Sequence, residues 1–358
     1  MTHLMLFIFQ RQKIPTIYKK REYIMPKKNA QNETVKRRYF DFLKHADGKS
    51  EPTIRMVEKT LLRFENFTKF ANFKSFDQKQ AIAYKTDLAE RGLAKATILS
   101  DVTKLKRFLK WLSRQDGYKR QIKFNDVEYL SMSDKDVRAA NSPLEKDFPT
   151  LAMVEDVIVK MPHSTPIEKR NRALVAACAL TGIRASAMTS LKLKHFQKRR
   201  MLIVQDPREV KTKFSKLINS FILPISPNLS AIFLDWITYL ETELLCSPND
   251  PMFPKTQLTC SLETGFQADG LSRKHWTTST PMRVIFKRAF AQAGLPSYPP
   301  HLFRNMLVKE MYDRELSIPE FKAWSMSLGH ESAMTTLTSY GKLSVHDMEN
   351  LIKPNRAM

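Results

Sequence analysis

The sequence predicts a mainly α-helical protein of two domains, the second a mixed, mostly helical domain with a small antiparallel β-sheet. Three observations lead there. The chain has 358 residues, more than one hydrophobic core usually organises at roughly 100 to 200 residues per domain. It holds only 9 glycines, below the usual ~7%, while 42% apolar and 27% charged residues are ordinary for a folded chain. From Thr53 onward, apolar residues recur at spacings of three and four, the signature of helices that bury one face.

In order, residues 1–50 read as a basic, flexible arm. The apolar run from Leu4 to Phe9 is too short for a signal-peptide core or a membrane span of ~20 residues. Arg11, Lys13, Lys19, Lys20 and Arg21 follow it, and Met25 offers a second start. Residues 51–116 read as a helical domain. Ile54, Val57, Leu61 and Phe64 share a face; Ser75 and Gln78 fit a capping box; Ala81, Tyr84 and Leu88 turn inward before Gly92. A third helix buries Ile98, Val102, Leu105, Leu109 and Leu112, and on another face Lys106, Lys110 and Arg114 recur at i, i+4 and i+8. Like charges at that spacing repel, so the stripe predicts something negative against it, with nucleic-acid phosphate as the candidate. Residues 117–148 lose the periodicity and read as an interdomain linker. Helical pattern returns at Leu151, interrupted by two β-prone stretches, Met201–Gln205 and Ile218–Ile225, joined by the basic turn Lys211-Thr212-Lys213-Phe214-Ser215-Lys216.

Charge narrows the partner. Fifty-nine Lys and Arg against 36 Asp and Glu leave +23, which points to a polyanion. With no amphipathic anchor, nucleic acid is favoured over a membrane. Cys178, Cys246 and Cys260 form no CxxC pair, so neither a disulfide framework nor a zinc knuckle is expected, and a reducing cytoplasm is the simple setting. Gly265 and Gly270, the one pair spaced for a phosphate loop, precede Leu271 where lysine is required. Asp206, Glu209, Glu310 and Asp313 lack metal-ligand spacing. Neither a cofactor nor a metal is therefore expected.

Four dispersed elements carry chemistry. In Thr181-Gly182-Ile183-Arg184 the glycine ends a helix and Arg184 opens the next, a sign that suits a bound anion better than the helix dipole. Pro299-Pro300 set a helix start, and the step of three in His301-Leu302-Phe303-Arg304 puts His301 and Arg304 on one face, within reach of one phosphate oxygen. Leu328-Gly329-His330 follows a helix stop, and a short helix from Ser332 ends in Tyr340-Gly341. Each element alone also suits a purely structural role.

Together and in this order, with the basic hairpin about thirty residues after Arg184, they resemble the tyrosine recombinase, or phage integrase, family. The resemblance implies a helical core-binding domain at 51–116, a catalytic domain at 149–345 and a tail at 346–358. It implies Arg184, His301, Arg304 and His330 around a scissile phosphate, Lys211 of the hairpin as general acid and Tyr340 as nucleophile. It further implies double-stranded DNA as partner and a homotetramer assembled on it. Two arginines would balance the charge that develops at phosphorus, the task metal ions perform elsewhere. The His330-to-Tyr340 step is one residue longer than the commonest family pattern, with Ser339 at the usual place, and the hairpin lacks the family's frequent glycine. Type IB topoisomerase-like relaxation and a non-catalytic DNA-binding regulator are the alternatives. Arg184, His301, Arg304, His330 and Tyr340 together argue against the regulator, since binding needs no nucleophile.

Overall fold

The first helix opens at Asn29, whose side chain accepts from the backbone N–H groups of Gln31 and Asn32. The computed structural model describes residues 28–142, 147–261, 265–330 and 336, and the chain divides into the units Met1–Glu145 and Lys146–Met358.

In the first unit, α1 (Ala30–His45) and α2 (Glu51–Phe67) share one core. Val35, Tyr39 and Leu43 of α1 are buried with Ile54, Val57, Leu61 and Phe64 of α2. Lys36 Nζ lies 2.6 Å from Glu65 Oε2, and Asn32 donates to Glu65 Oε1 at 3.2 Å and to the Ala71 carbonyl at 2.9 Å. The expected flexible arm of residues 1–50 is thus corrected. Its described part is a helix whose apolar residues at i, i+4 and i+8 were hidden among lysines and arginines on the outer face.

A second correction concerns the start of α3 (Gln78–Glu90). Asp77, not Ser75, caps it, accepting from the Gln80 N–H at 2.8 Å, while the Ser75 hydroxyl donates to the Asn72 carbonyl. The expected inward residues Ala81, Tyr84 and Leu88 are buried, as are Ile98, Val102, Leu105, Leu109 and Leu112 of α4 (Lys95–Leu112).

The expected linker 117–148 is largely part of this unit. Tyr118, Ile122, Val127 and Leu130 enter the same core, around α5 (Phe124–Glu128), and α6 (Asp134–Asn141) follows. Helix α5 also answers the question posed by the basic stripe. The Glu128 carboxylate lies 2.8 Å from Lys106 Nζ and 2.6 Å from Lys110 Nζ, and hydrogen bonds from these two lysines hold it below the usual carboxylate range. The Lys110 ammonium also sits 4.8 Å from the Phe124 ring centre. An intramolecular carboxylate therefore relieves the repulsion that seemed to require an external polyanion. Arg114 lies beyond the end of α4, exposed.

The second unit is organised around α8 (Pro166–Thr181), which starts in a capping box between Thr165 and Glu168 and is buried continuously from Ala173 to Thr181. A helix apolar all round needs neighbours on every side. It packs against α7 (Leu151–Lys160) and α10 (Pro227–Thr242), and against α12 (Phe303–Asp313). Between α8 and α10 come the one-turn α9 (Ala185–Met188) and the antiparallel sheet β1 (Phe196–Gln197), β2 (Leu202–Gln205) and β3 (Ile218–Phe221). Leu202 pairs with Phe221 and Gln205 with Ile218, so Ile225 falls outside the strand expected to reach it. A second hairpin, β4 (Thr256–Ser261) with β5 (Gly265–Leu271), was not expected; Gly265 and Gly270 belong to it. Helices α11 (Thr280–Gln292) and α13 (Ile318–Ser327) complete the described elements. Among the described residues no helix is long and apolar enough to cross a membrane.

Because α1 is part of the core, Leu43→Ala should destabilise the first unit by about 2–5 kcal/mol, the cost of a buried leucine. Urea unfolding followed by circular dichroism measures it; an unchanged midpoint would restore the free-arm reading.

Candidate active site

Helix α8 ends at Gly182, with φ of +59° and its N–H donating to the Cys178 carbonyl. A Cβ built there would lie 2.8 Å from Leu328 Cδ2, 3.0 Å from Leu307 Cδ1 and 3.3 Å from Arg304 Cγ. Glycine is required twice over, for the left-handed backbone and for the close approach of α12 and the end of α13. That approach creates the binding place of Arg304. Its guanidinium donates from Nη1 to the Gly182 carbonyl at 2.7 Å, and from Nη2 to the Leu328 carbonyl at 2.6 Å and toward His330 Nε2 at 2.7 Å. Arg304 is 3% exposed.

His330 is equally enclosed. Its Nδ1 lies 2.7 Å from Thr336 Oγ1, which lies 2.6 Å from Ser325 Oγ, and its backbone N–H donates to the Ser325 carbonyl. Burial, reinforced by the charges of Arg304 and then Arg184, pushes the imidazole down to about 4, so the ring is neutral at physiological pH. A guanidinium can only donate. Nε2 therefore accepts, and the single ring proton sits on Nδ1. In this arrangement the nitrogen facing Arg304 accepts from it.

Arg184 caps α9 and is half-buried, close enough for its charge to act on His330. The helix it opens is a single turn, so the dipole argument that singled it out has little force; its position beside Gly182 and Arg304 matters instead. His301 and Arg304 are less equivalent than their spacing implies. His301 lies in a 3-10 turn, Pro300–Leu302, and is exposed, whereas Arg304 in the first turn of α12 points inward.

The basic connection between β2 and β3 separates its three lysines. The Lys213 and Lys216 ammoniums lie 4.8 and 5.5 Å from the ring centre of Phe214. Lys211 is held at its backbone: its N–H donates to Ser190 Oγ at 2.9 Å, and Ser190 donates in turn to the Ala187 carbonyl. The turn after Arg184 and the base of the hairpin are thereby joined. His275 is near enough to feel Lys211 and Lys192; burial first and these charges next push its pKa down, against the hydrogen bond to Thr189.

The carboxylates singled out in the sequence are engaged elsewhere. Asp206 pairs with Arg208 and is held at about 2 chiefly by that contact; Glu209 lies 2.8 Å from Lys192 and 2.9 Å from Lys194 and is held at about 2 by their hydrogen bonds. Glu310 pairs with Arg314 and Asp313 with Lys309. Among the described residues no group of three His, Cys, Asp or Glu side chains is arranged to hold a metal ion. Cys178 lies behind the site, its thiol pushed up to about 12 by burial. Tyr340 and Ser339, the short helix expected from Ser332 apart from Thr336, and the 346–358 tail lie outside the described residues. Ser190, Ser325 and Thr336 were not singled out from the sequence. Hydroxyl side chains between helices carry no local signal, and each acquires its partner only in the fold.

The His330 ring makes stability depend on pH. An unfolded histidine takes a proton near pH 6.5, the folded one only near 4, so in this window the unfolded chain binds more protons and stability falls as the pH drops. The full difference amounts to at most about 3 kcal/mol, complete by pH 4. Urea unfolding at pH 7 to 4.5 should show this decline, and His330→Asn should flatten it; an equal slope in the variant would mean that His330 titrates normally.

The phage integrase family model matches residues 152–346. The tyrosine recombinase XerC of Bacillus pumilus is 31% identical over 134 residues, 36% of this chain and 41% of that protein, and this chain spans less than half the length of the curated relatives it matches. Among solved structures, a lambda integrase dimer bound to a COC' core site superposes with a TM-score of 0.58 at 15% identity, over 87% of this chain and 99% of that one. A lambda integrase tetramer bound to a Holliday junction gives 0.56 at 16%, over 88% and 80%. These structural likenesses extend to the fold. The family match covers more than half of the 358 residues and includes Arg184, Lys211, His301, Arg304, His330 and Tyr340, and by it the chain belongs to the phage integrase family.

Proposed function

We propose that this chain is a site-specific DNA recombinase that cuts and rejoins double-stranded DNA through a 3′-phosphotyrosyl intermediate. The observation that carries the reading is the fixed Arg304 guanidinium, bonded toward a neutral His330 that also feels the charge of Arg184. Attack at phosphorus adds negative charge to nonbridging oxygens, and two preoriented guanidinium groups stabilise that charge where it forms. Neutral His330 adds no charge of its own beside the two arginines.

The phenolic oxygen of Tyr340 forms the new bond to phosphorus, and the bond to the 5′ oxygen breaks. A phenol with a pKa of about 10 is protonated at neutral pH, so His301 on the exposed side assists by accepting its proton. Lys211 donates a proton to the departing 5′ oxygen. The anchoring of its backbone through Ser190 supports this choice over Lys213 and Lys216, which lie against Phe214. The phosphotyrosine retains the energy of the broken bond, so rejoining to another strand proceeds without ATP or metal. By family resemblance four copies act together on DNA, in the cytoplasm, and the DNA belongs to a mobile element. The core-binding role falls to residues 51–116 and the catalytic role to 149–345. On the first unit, Arg107, Lys110 and Arg114 line a groove of about 180 Å³ with Tyr39, Phe42 and Trp111. That groove is the proposed phosphate-facing surface; Lys106, paired with Glu128, is not among the residues lining it.

Two outcomes test the reading. With duplexes taken from the DNA flanking the coding sequence and EDTA in excess, the protein should form a covalent adduct on a denaturing gel; Tyr340→Phe should bind and form none, and Ser339→Ala should still form one. The reverse pattern would overturn the nucleophile. Replacing the bridging 5′ oxygen by sulfur makes a leaving group that needs no proton, so this substrate should rescue Lys211→Ala selectively. Rescue of Lys213→Ala or Lys216→Ala instead would move the general acid along the turn.

A further inference from the structure

We propose that Thr336 is a positioning residue: its hydroxyl, backed by Ser325, sets the tautomer of His330 and through it holds Arg304 in the orientation that meets the phosphate. The inference rests on the recombinase reading for its consequence, and on geometry alone for the arrangement itself. Thr336 and Ser325 are fully buried, their hydroxyl oxygens 2.6 Å apart, with Thr336 Oγ1 2.7 Å from His330 Nδ1 and His330 Nε2 2.7 Å from Arg304 Nη2. Direction follows from the two ends of the chain. Arg304 can only donate, so Nε2 carries the lone pair; the ring proton is then on Nδ1 and is donated to Thr336 Oγ1, whose own proton is left for Ser325 Oγ.

Without the Thr336 hydroxyl, the buried Nδ1 proton loses the acceptor that lies 2.7 Å from Nδ1. The neutral ring relieves that strain by moving the proton to Nε2, where it opposes an Arg304 N–H, donor against donor. The Gly182 and Leu328 carbonyls still hold the guanidinium, but the third support is gone. Thr336 also stands four positions before Tyr340 in the chain, so one hydroxyl links the segment that carries the proposed nucleophile to the arginine that receives the phosphate. A side chain that only filled space would be served equally well by valine, which has nearly the same shape.

The test uses the full chain with ¹⁵N-labelled histidine, the His330 signals being identified by their loss in His330→Gln. At pH 7 the wild-type ring should show a protonated Nδ1 and a bare Nε2, and Thr336→Val should lose that preference while Thr336→Ser keeps it. On the flanking-DNA duplexes, Thr336→Val should form the covalent adduct roughly 10-fold or more slowly at unchanged DNA affinity, with Thr336→Ser within about threefold of wild type. A wild-type ring protonated at Nε2, or a Thr336→Val rate equal to wild type, overturns the proposal. If Thr336→Val does not fold, the wild-type tautomer and the effect of Ser325→Ala on it decide. If wild-type protein forms no adduct, the recombinase reading falls, whereas the ring-nitrogen pattern still judges the role of Thr336.

Discussion

The second unit depends on one buried cation. Arg304 reaches from the first turn of α12 to the carbonyl of Gly182, which caps α8, and to the end of α13, at Leu328. Burying a guanidinium is costly unless its donors are met. Here two main-chain carbonyls and a neutral imidazole receive Nη1 and Nη2, fixing the plane of the group. The left-handed turn at Gly182 is what allows three chain segments to approach this closely. Gly329 makes a matching close approach, with Ile218 of β3 2.8 Å from where its Cβ would stand. Two glycines thus seat the end of α13 against both α8 and the sheet.

Charge elsewhere is handled by pairing. Glu128 lies between Lys106 and Lys110, Glu209 between Lys192 and Lys194, and Lys36 meets Glu65 in the core of the first unit. The exposed pairs at Glu128 and Glu209 contribute little to stability, but they decide which basic residues face outward unengaged by protein carboxylates. A count of lysines and arginines therefore overstates the surface offered to a polyanion. The helical stripe that looked most committed to phosphate is partly committed to α5.

Much of the fold was legible because its signals are local. The apolar stripes of α2, α3 and α4 repeat within three or four residues, the scale on which a helix is specified, and their inward residues are buried as expected. The failures were also local in cause. Tyr39 and Leu43 in α1 were masked by surrounding basic residues, and Val127 and Leu130 lie in a stretch too short to show a period. Their burial comes from neighbours distant in the chain. The β4–β5 strands mix polar and apolar residues without strict alternation, and only their pairing identifies the hairpin.

By itself the sequence determined the helical class, the excess of positive charge and the presence, in order, of Arg184, Lys211, His301, Arg304, His330 and Tyr340. Residue type and spacing along the chain are sufficient for those statements. The tertiary structure decided that Arg304 faces inward while His301 faces out, that His330 is a neutral acceptor toward Arg304, and that Thr336, Ser325 and Ser190 stand behind the site residues. The contacts responsible join positions 122, 24, 21 and 11 residues apart. Hydrogen-bond direction and burial arise only when those segments meet, so no local pattern encodes them.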